Sequence, residues 1–370
     1  MLTTAAPMLI GFLVTVTMML TLRPVAIHLR LVDVPGGRKT HHGEVPVVGG
    51  VAIFIGLLAS VIALGQASAG ESAMLVAAAV MVLVGAMDDR FDLPPNVRIL
   101  AQIAAVLTAV IASGYRVENL GDLLGAGEFH LGPFAFIFTV VAAIALINGF
   151  NMLDGLDGLA GGVALVALCG LSFVFSLQPG AGPLIVAMSL VGTIVAFLIF
   201  NLPARFNRPV LAFMGDAGST LLGFLLAALS LLAIQPSAAH PLPPSIVLWL
   251  LPVPIIELFT STFRRAVTGL SPMTADRGHF HHRLLEAGFS VRAIFVLYLG
   301  VSSASAAFGI WAWRAGVSET AMFYAFLGLT AVWLGLTQNA RRMARHLPRS
   351  LRRAQFPPLR RRRNSSAVRS

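Results

Sequence analysis

Apolar runs long enough to cross a bilayer set the fold of this chain. A hydrocarbon core of ~30 Å takes ~20 apolar residues in a helix, and runs near that length recur from residue 5 to residue 338. Mean hydropathy is +0.84 and charged residues make up 11% of the chain. The runs are therefore apolar all round, where a soluble helical protein would show one apolar face per helix. The fold class is all-α, a polytopic integral membrane protein.

Eleven spans are expected, near 5–22, 46–65, 73–87, 99–114, 133–147, 159–177, 183–202, 217–235, 245–263, 293–312 and 320–338. With loops assigned alternately to two sides, 24 of the 26 basic residues fall on one side. Basic residues collect in cytoplasmic loops, so that side is read as cytoplasmic. Arg116 and Arg314 stay on the other side, with Glu71, Glu118, Asp122, Glu128 and Glu319. This threading puts the amino terminus outside and the carboxyl terminus in the cytoplasm, as for a multi-pass protein of the cell's inner (plasma) membrane. The first run has no basic residue before it and no small-residue cleavage site after it, so it is expected to be retained as a span. Residues 1–338 form the membrane domain. Residues 339–370 form a basic tail, expected to be disordered. The tail is read equally as a surface for anionic lipids and as a topology determinant. Nothing in it offers aromatic platforms for nucleic acid, and no nucleic-acid partner is expected. One cysteine, Cys169, leaves no internal disulfide framework and no cysteine zinc site.

Between two of these runs lies NGFNMLDGLDGLAGG, Asn148 to Gly162. Asn148, Asn151, Asp154 and Asp157 recur every third residue, which on a helix places them along one drifting face. Ionised groups at a membrane boundary are costly, so four in step mark a site and not a helix cap. The glycines remove bulk where a phosphate would approach.

Four further polar blocks fall on the same side: DVPGGRKTHHGEVPVVGG from Asp33, GAMDDRFDLPPNVR, FMGDAGST from Phe213, and RRAVTGLSPMTADRGHFHH from Arg264. Asp88 and Asp89 are adjacent acids, which repel or invite a cation. With Asp154, Asp157 and Asp216 they suggest a hard divalent ion, magnesium, with manganese as the alternative. Asp216 stands between glycines at a helix start, where free N–H groups suit phosphate. His279, His281 and His282 are too close together for a helical zinc pair. With Arg264, Arg265, Arg277 and Arg283 they read better as a cationic clamp for a diphosphate. Glu257, seven residues before Arg264, reads either as an acid facing the site or as a partner for Arg264. A transporter would instead carry its polar groups deep in several spans. The residues alone thus describe a membrane enzyme that holds magnesium, a phosphate-rich substrate and a lipid.

Taken together and in order, the five blocks resemble the polyprenyl-phosphate N-acetylhexosamine-1-phosphate transferases, of the glycosyltransferase 4 type. Gln102 belongs to the second block, and the match runs from about residue 20 to residue 295. The resemblance implies transfer of N-acetylglucosamine 1-phosphate from a UDP-sugar to undecaprenyl phosphate, releasing UMP and priming lipid-linked cell-envelope polysaccharide. It implies Asp216 as the principal magnesium ligand, with Asn151, and Asp154 beside the metal and phosphates. Asp157 is implied to contact the uracil, with Phe213 stacked on it. Asp88 is implied to deprotonate or position the lipid phosphate, with Asp89 near it. His279, His281 and His282, with Arg265, match the diphosphate- and sugar-binding loop, and Lys39 is placed for phosphate. The peptidoglycan branch has three adjacent histidines in this loop, where this chain has His-Phe-His-His. That favours a small N-acetylhexosamine donor over a muramyl-pentapeptide one, and a 6-deoxy-hexosamine donor is the alternative. The lipid phosphate is already anionic, which favours direct attack over an aspartyl intermediate. A homodimer is left open.

Overall fold

A computed structural model describes residues 2–33, 44–65, 68–178, 180–202, 210–235, 242–267, 269 and 278–344. Lys39, Arg38, Arg205, Arg208, Asp276, Arg277 and the tail beyond Ala344 lie outside the described residues. The chain is built of α1 (Leu2–His28), α2 (Gly49–Leu64), α3 (Ala69–Phe91), α4 (Pro95–Ser113), α5 (Ala135–Leu153), α6 (Leu159–Ser176) and α7 (Gly182–Asn201). It continues with α8 (Gly215–Ala233), α9 (Ser245–Leu250), α10 (Pro252–Val267), α11 (Phe280–Glu286), α12 (Val291–Arg314) and α13 (Glu319–Ala344). α13 thus runs past residue 338, where the tail was expected to begin.

Among the described residues nine helices are long and apolar enough to cross a membrane: α1, α3 to α8, α12 and α13. The two remaining expected spans take other forms. α2 is apolar but only 16 residues long. The run near 245–263 is two helices, broken at Leu251 (φ −125°, ψ 45°). Pro252 causes the break, because the residue before a proline is pushed out of the helical region.

α6, α7 and α8 are the most enclosed helices, and α1 and α13 the least. α8 packs on α2, α3 and α5, α1 on α2 and α7, and α6 on α7 and α12. Phe150, Phe197 and Phe224 are fully buried between them. Leu13, Ile62, Leu83, Leu100, Ile111 and Val296 stand exposed on outer helix faces. Such a belt would be a liability in water and is what lipid requires.

α10 is built the opposite way. Glu257, Ser261 and Arg265 recur at i+4 on one face and are buried, at 1%, 0% and 4% exposure. Phe259, Phe263 and Val267 face outward, more than half exposed. Its polar face therefore turns into the bundle.

Short backbone contacts then knit one end together. β1 (Val32–Asp33) and β2 (Val45–Pro46) pair antiparallel, with Val32 opposite Pro46. Phe213 donates its N–H to the Pro46 carbonyl (2.9 Å), and Gly49 and Gly50 donate to Phe213 and Met214 (3.0 Å each). Arg23 donates to the Leu211 carbonyl at 3.0 Å, and Arg90 to the Arg30 carbonyl at 2.9 Å. This end carries the candidate site.

Candidate active site

The site is organised by the N-terminus of α8. Gly50 and Gly85 let α2 and α3 come close to it. A Cβ on Gly50 would lie 2.2 Å from the Gly218 nitrogen, and one on Gly85 2.4 Å from the Ala217 Cα. Asp89, on the last turn of α3, reaches across and accepts from the backbone N–H groups of Asp216 (2.8 Å) and Ala217 (3.2 Å). Those first-turn donors have no partner within their own helix. Met214, the residue before α8, makes no side-chain cap bond, so Asp89 caps the helix from outside. A cap of this kind contributes about 1 kcal/mol, and the carboxylate also suits the positive end of the helix dipole. Asp89 therefore holds the helix that carries Asp216.

Asp88 is likewise engaged. It is buried, and its two oxygens accept from the Leu93 N–H at 2.8 Å and from the Arg98 guanidinium at 3.0 Å. Arg98 remains half-exposed and within electrostatic reach of Asp216. Both oxygens of Asp88 are thus engaged within the protein.

The central stretch departs from the continuous helical face expected of it. α5 ends at Leu153, with Asp154 as its C-cap residue. Residues 154–158 form a turn, and Gly158 sits at φ +76°, a conformation that side chains disfavour. The four polar residues consequently part company. The Asn148 amide bonds Gln102 of α4 at 3.0 Å. Asn151 donates to the Asp216 carboxylate and, at 3.1 Å, to Ser219. Asp154 and Asp157 lie on the turn, which the Asn201 side chain pins by accepting the Gly158 N–H at 2.6 Å. Phe213, half-buried, is fixed through its backbone beside β2.

The histidine block enters from the other side. His279 precedes α11, and its ring stacks parallel to that of His281, with centroids 5.7 Å apart. A Cβ on Gly155 would lie 3.0 Å from His281 Nε2 and 3.7 Å from His282 Cε1. The block and the turn therefore meet at Gly155, beside Asp154. His281 is fully buried, and burial pushes its pKa down to about 3. Arg265 is buried as well. Arg264 donates to the Gly278 carbonyl, and Glu257 pairs with His279 and Tyr298, not with Arg264.

Comparison with known proteins fits this arrangement. A model of glycosyl transferase family 4 matches residues 72–234, the part with the five carboxylates and Asn151. The chain is 34% identical over 355 residues to the undecaprenyl-phosphate α-N-acetylglucosaminyl 1-phosphate transferase of Yersinia pestis, covering 95% of this chain and 96% of that one. It is 33% identical to the protein of the same name from Escherichia coli O157:H7, covering 95% and 96%. The chain belongs to glycosyl transferase family 4. A further relative of that name, from Haemophilus influenzae, is 33% identical over 93% of this chain and 97% of its own. The histidine block lies beyond the family 4 model match but inside the span of these relatives.

In this family 4 chain the carboxylates crowd one another. Burial first, and then the Asp216, Asp89 and Asp157 carboxylates, hold the Asp154 carboxyl well above its ordinary range. Repulsion of this kind favours a bound cation. The donors are hard oxygens, the type magnesium takes, commonly one or two carboxylates plus substrate phosphate and water. Among the described residues no three His, Cys, Asp or Glu side chains close a shell by themselves.

Asp154 and His281 give opposite pH effects. Asp154 is only half-buried, but desolvation and the neighbouring carboxylates penalise its ionised form fully above its raised pKa and not below the ordinary 3.8, so stability rises as pH falls between them. His281 resists protonation in the fold, so stability falls as pH drops from 6.5 toward about 3. Asp154→Asn removes the first effect and keeps the second. Acidification in chelator should then lower the melting temperature more in Asp154→Asn than in the parent. Superimposable melting curves across pH would remove the buried-carboxyl account.

Proposed function

We propose that the protein transfers N-acetylglucosamine 1-phosphate from UDP-N-acetylglucosamine to undecaprenyl phosphate and releases UMP. The observation that carries this reading is the meeting of the Asn151–Asp216 pair, the Asp154–Asp157 turn and the histidine block at one end of the bundle. Full-length similarity to transferases of that name supports it.

The reaction needs one P–O bond to form and one to break. An oxygen of the lipid phosphate attacks the β-phosphorus of the UDP-sugar. The bond from that phosphorus to the bridging oxygen breaks, and the electron pair leaves with UMP. Phosphoryl transfer asks the protein mainly for positioning and charge stabilisation. A magnesium ion held by Asp216, with Asn151 beside it, would neutralise diphosphate charge. Asp154 orders the phosphates at the turn, and Asp157 with Phe213 takes the uracil. Asp88 holds Arg98 as a cation for the acceptor side.

A cavity of about 800 Å³ suits the acceptor's hydrocarbon. It runs between α3, α4, α5, α8 and α10, lined by Met74, Val106, Leu146, Phe224, Leu258 and Phe259. The cavity starts at the far end of the bundle, by Glu71, Tyr115 and Leu120, and reaches inward as far as Leu146, two residues from Asn148. The basic loops at this end support a cytoplasmic site in the inner membrane, with the amino terminus outside.

The test is purified protein with undecaprenyl phosphate, magnesium and a panel of UDP-sugars, read by UMP release. UMP should appear with UDP-N-acetylglucosamine and only when the lipid is present. Release with a 6-deoxy-hexosamine donor alone would change the substrate, and release with none would overturn the proposal.

A further inference from the structure

Glu257 is a buried carboxylate on the inward polar face of α10, 1% exposed. A charge in such a place is costly unless it is paired and hydrogen-bonded. Here two other elements converge on it. Tyr298 of α12 donates its hydroxyl to Oε1 at 2.7 Å. The Phe280 N–H, first in α11, donates to Oε2 at 3.4 Å, and His279 Nδ1 faces the same oxygen at 3.5 Å. α11 has only seven residues, too few to be stable alone. His279 supplies no side-chain cap to it. Glu257 caps it from the neighbouring helix.

The connection continues to the site. A carboxylate facing Nδ1 of His279 favours a proton on that nitrogen and orients the ring. His281 stacks on that ring at an interplanar angle of 5°, and its Nε2 reaches the space left open at Gly155. Tyr298 is itself fully buried, with Phe280 stacked at 6.2 Å and Trp333 at 5.1 Å, so the hydroxyl has little room to move.

We infer that Glu257, braced by Tyr298, is a positioning residue for the transfer step: it clamps the histidine block against the Asp154–Asp157 turn. This rests on the transferase reading above. Glu257 touches the histidine block but not the turn assigned to the uracil, so its loss should slow turnover and spare UMP affinity.

The experiment compares Glu257→Gln, Glu257→Asp and Tyr298→Phe with the parent. It reads kcat and KM by UMP release, UMP affinity by calorimetry, and amide hydrogen exchange over residues 279–287. Glu257→Gln should lower kcat about 100-fold, the scale of a displaced catalytic group, with UMP affinity within about twofold. Exchange at the start of α11 should rise about tenfold as the charged acceptor is lost. Glu257→Asp keeps the charge and should stand well above Glu257→Gln. Tyr298→Phe keeps the carboxylate and should show the same pattern at about tenfold in kcat, which serves if Glu257→Gln does not fold. Unchanged exchange overturns the clamp. Raised exchange with parental kcat overturns the positioning role, and a matching loss of UMP affinity makes Glu257 a binding residue instead. A parent protein that releases no UMP refutes the transferase reading, while the exchange data still judge the clamp.

Discussion

Asp216→Asn should fold as the parent does and lose about two to three orders of magnitude in kcat, the cost of removing one group that stabilises transition-state charge. The change is near-isosteric. An asparagine oxygen still accepts from Asn151, and the backbone N–H of residue 216 still donates to Asp89. The helix start loses one negative charge, worth about 0.3–1 kcal/mol. Folding should therefore survive while the anionic centre of the site does not. The measurement is UMP release against magnesium concentration, with the melting temperature alongside. A variant with parental turnover at low magnesium would take Asp216 out of the metal centre. A variant that fails to fold would make Asp216 a structural residue of α8.

The same residues show what the sequence made legible. Runs of apolar residues gave the helices, because a bilayer sets their length and excludes charge. Run length alone missed that one run is broken; the signal was Pro252 within it, which forces Leu251 out of the helix. The five polar blocks were legible as one site because each sits at a span end on the same side of the threading. Their division of labour was not. The resemblance set Asp216 apart from Asp88 and Asp89, but only the packing shows that Asp89 caps α8, Asp88 holds Arg98, and Asp216 pairs with Asn151. Such differences depend on which helix ends meet, and no spacing within a block carries that information. Asn148 through Asp157 read as one helical face, and the left-handed Gly158 with Asn201 ends that face early. Asn201 and Tyr298 carried no signal beyond a polar atom in an apolar run. Glu257 did: with Ser261 and Arg265 it repeats at i+4, a buried polar stripe on a helix whose other face is aromatic and exposed. Read as a stripe, and not as a lone acid near Arg264, it would have pointed inward.

Asp154→Asn and Asp157→Asn should fail in different ways. Both residues lie on one five-residue turn, so a general distortion of the turn would affect both alike. Asp154 sits where Asp216, Asp89 and Asp157 already press on it, at the end of α5 and beside the histidine block. Its assigned work is on the phosphates as charge moves to UMP. Loss of a transition-state interaction lowers kcat, and Asp154→Asn should cost roughly two orders of magnitude or more. Binding of UMP without magnesium should change little. Asp157 is assigned to the uracil, a contact present in the ground state as well. An asparagine keeps one carbonyl acceptor and loses the carboxylate, so KM for the UDP-sugar should rise, with kcat much less affected. Competition by UMP should weaken in parallel, because UMP carries the uracil without the sugar. Calorimetric titration of UMP into both variants, beside steady-state kinetics, separates the two. If Asp157→Asn binds UMP normally and Asp154→Asn does not, the two assignments are reversed. If neither variant differs from the parent, the turn is only the polar end of a membrane helix, and the site must be sought among Asp216, Arg98 and the histidines.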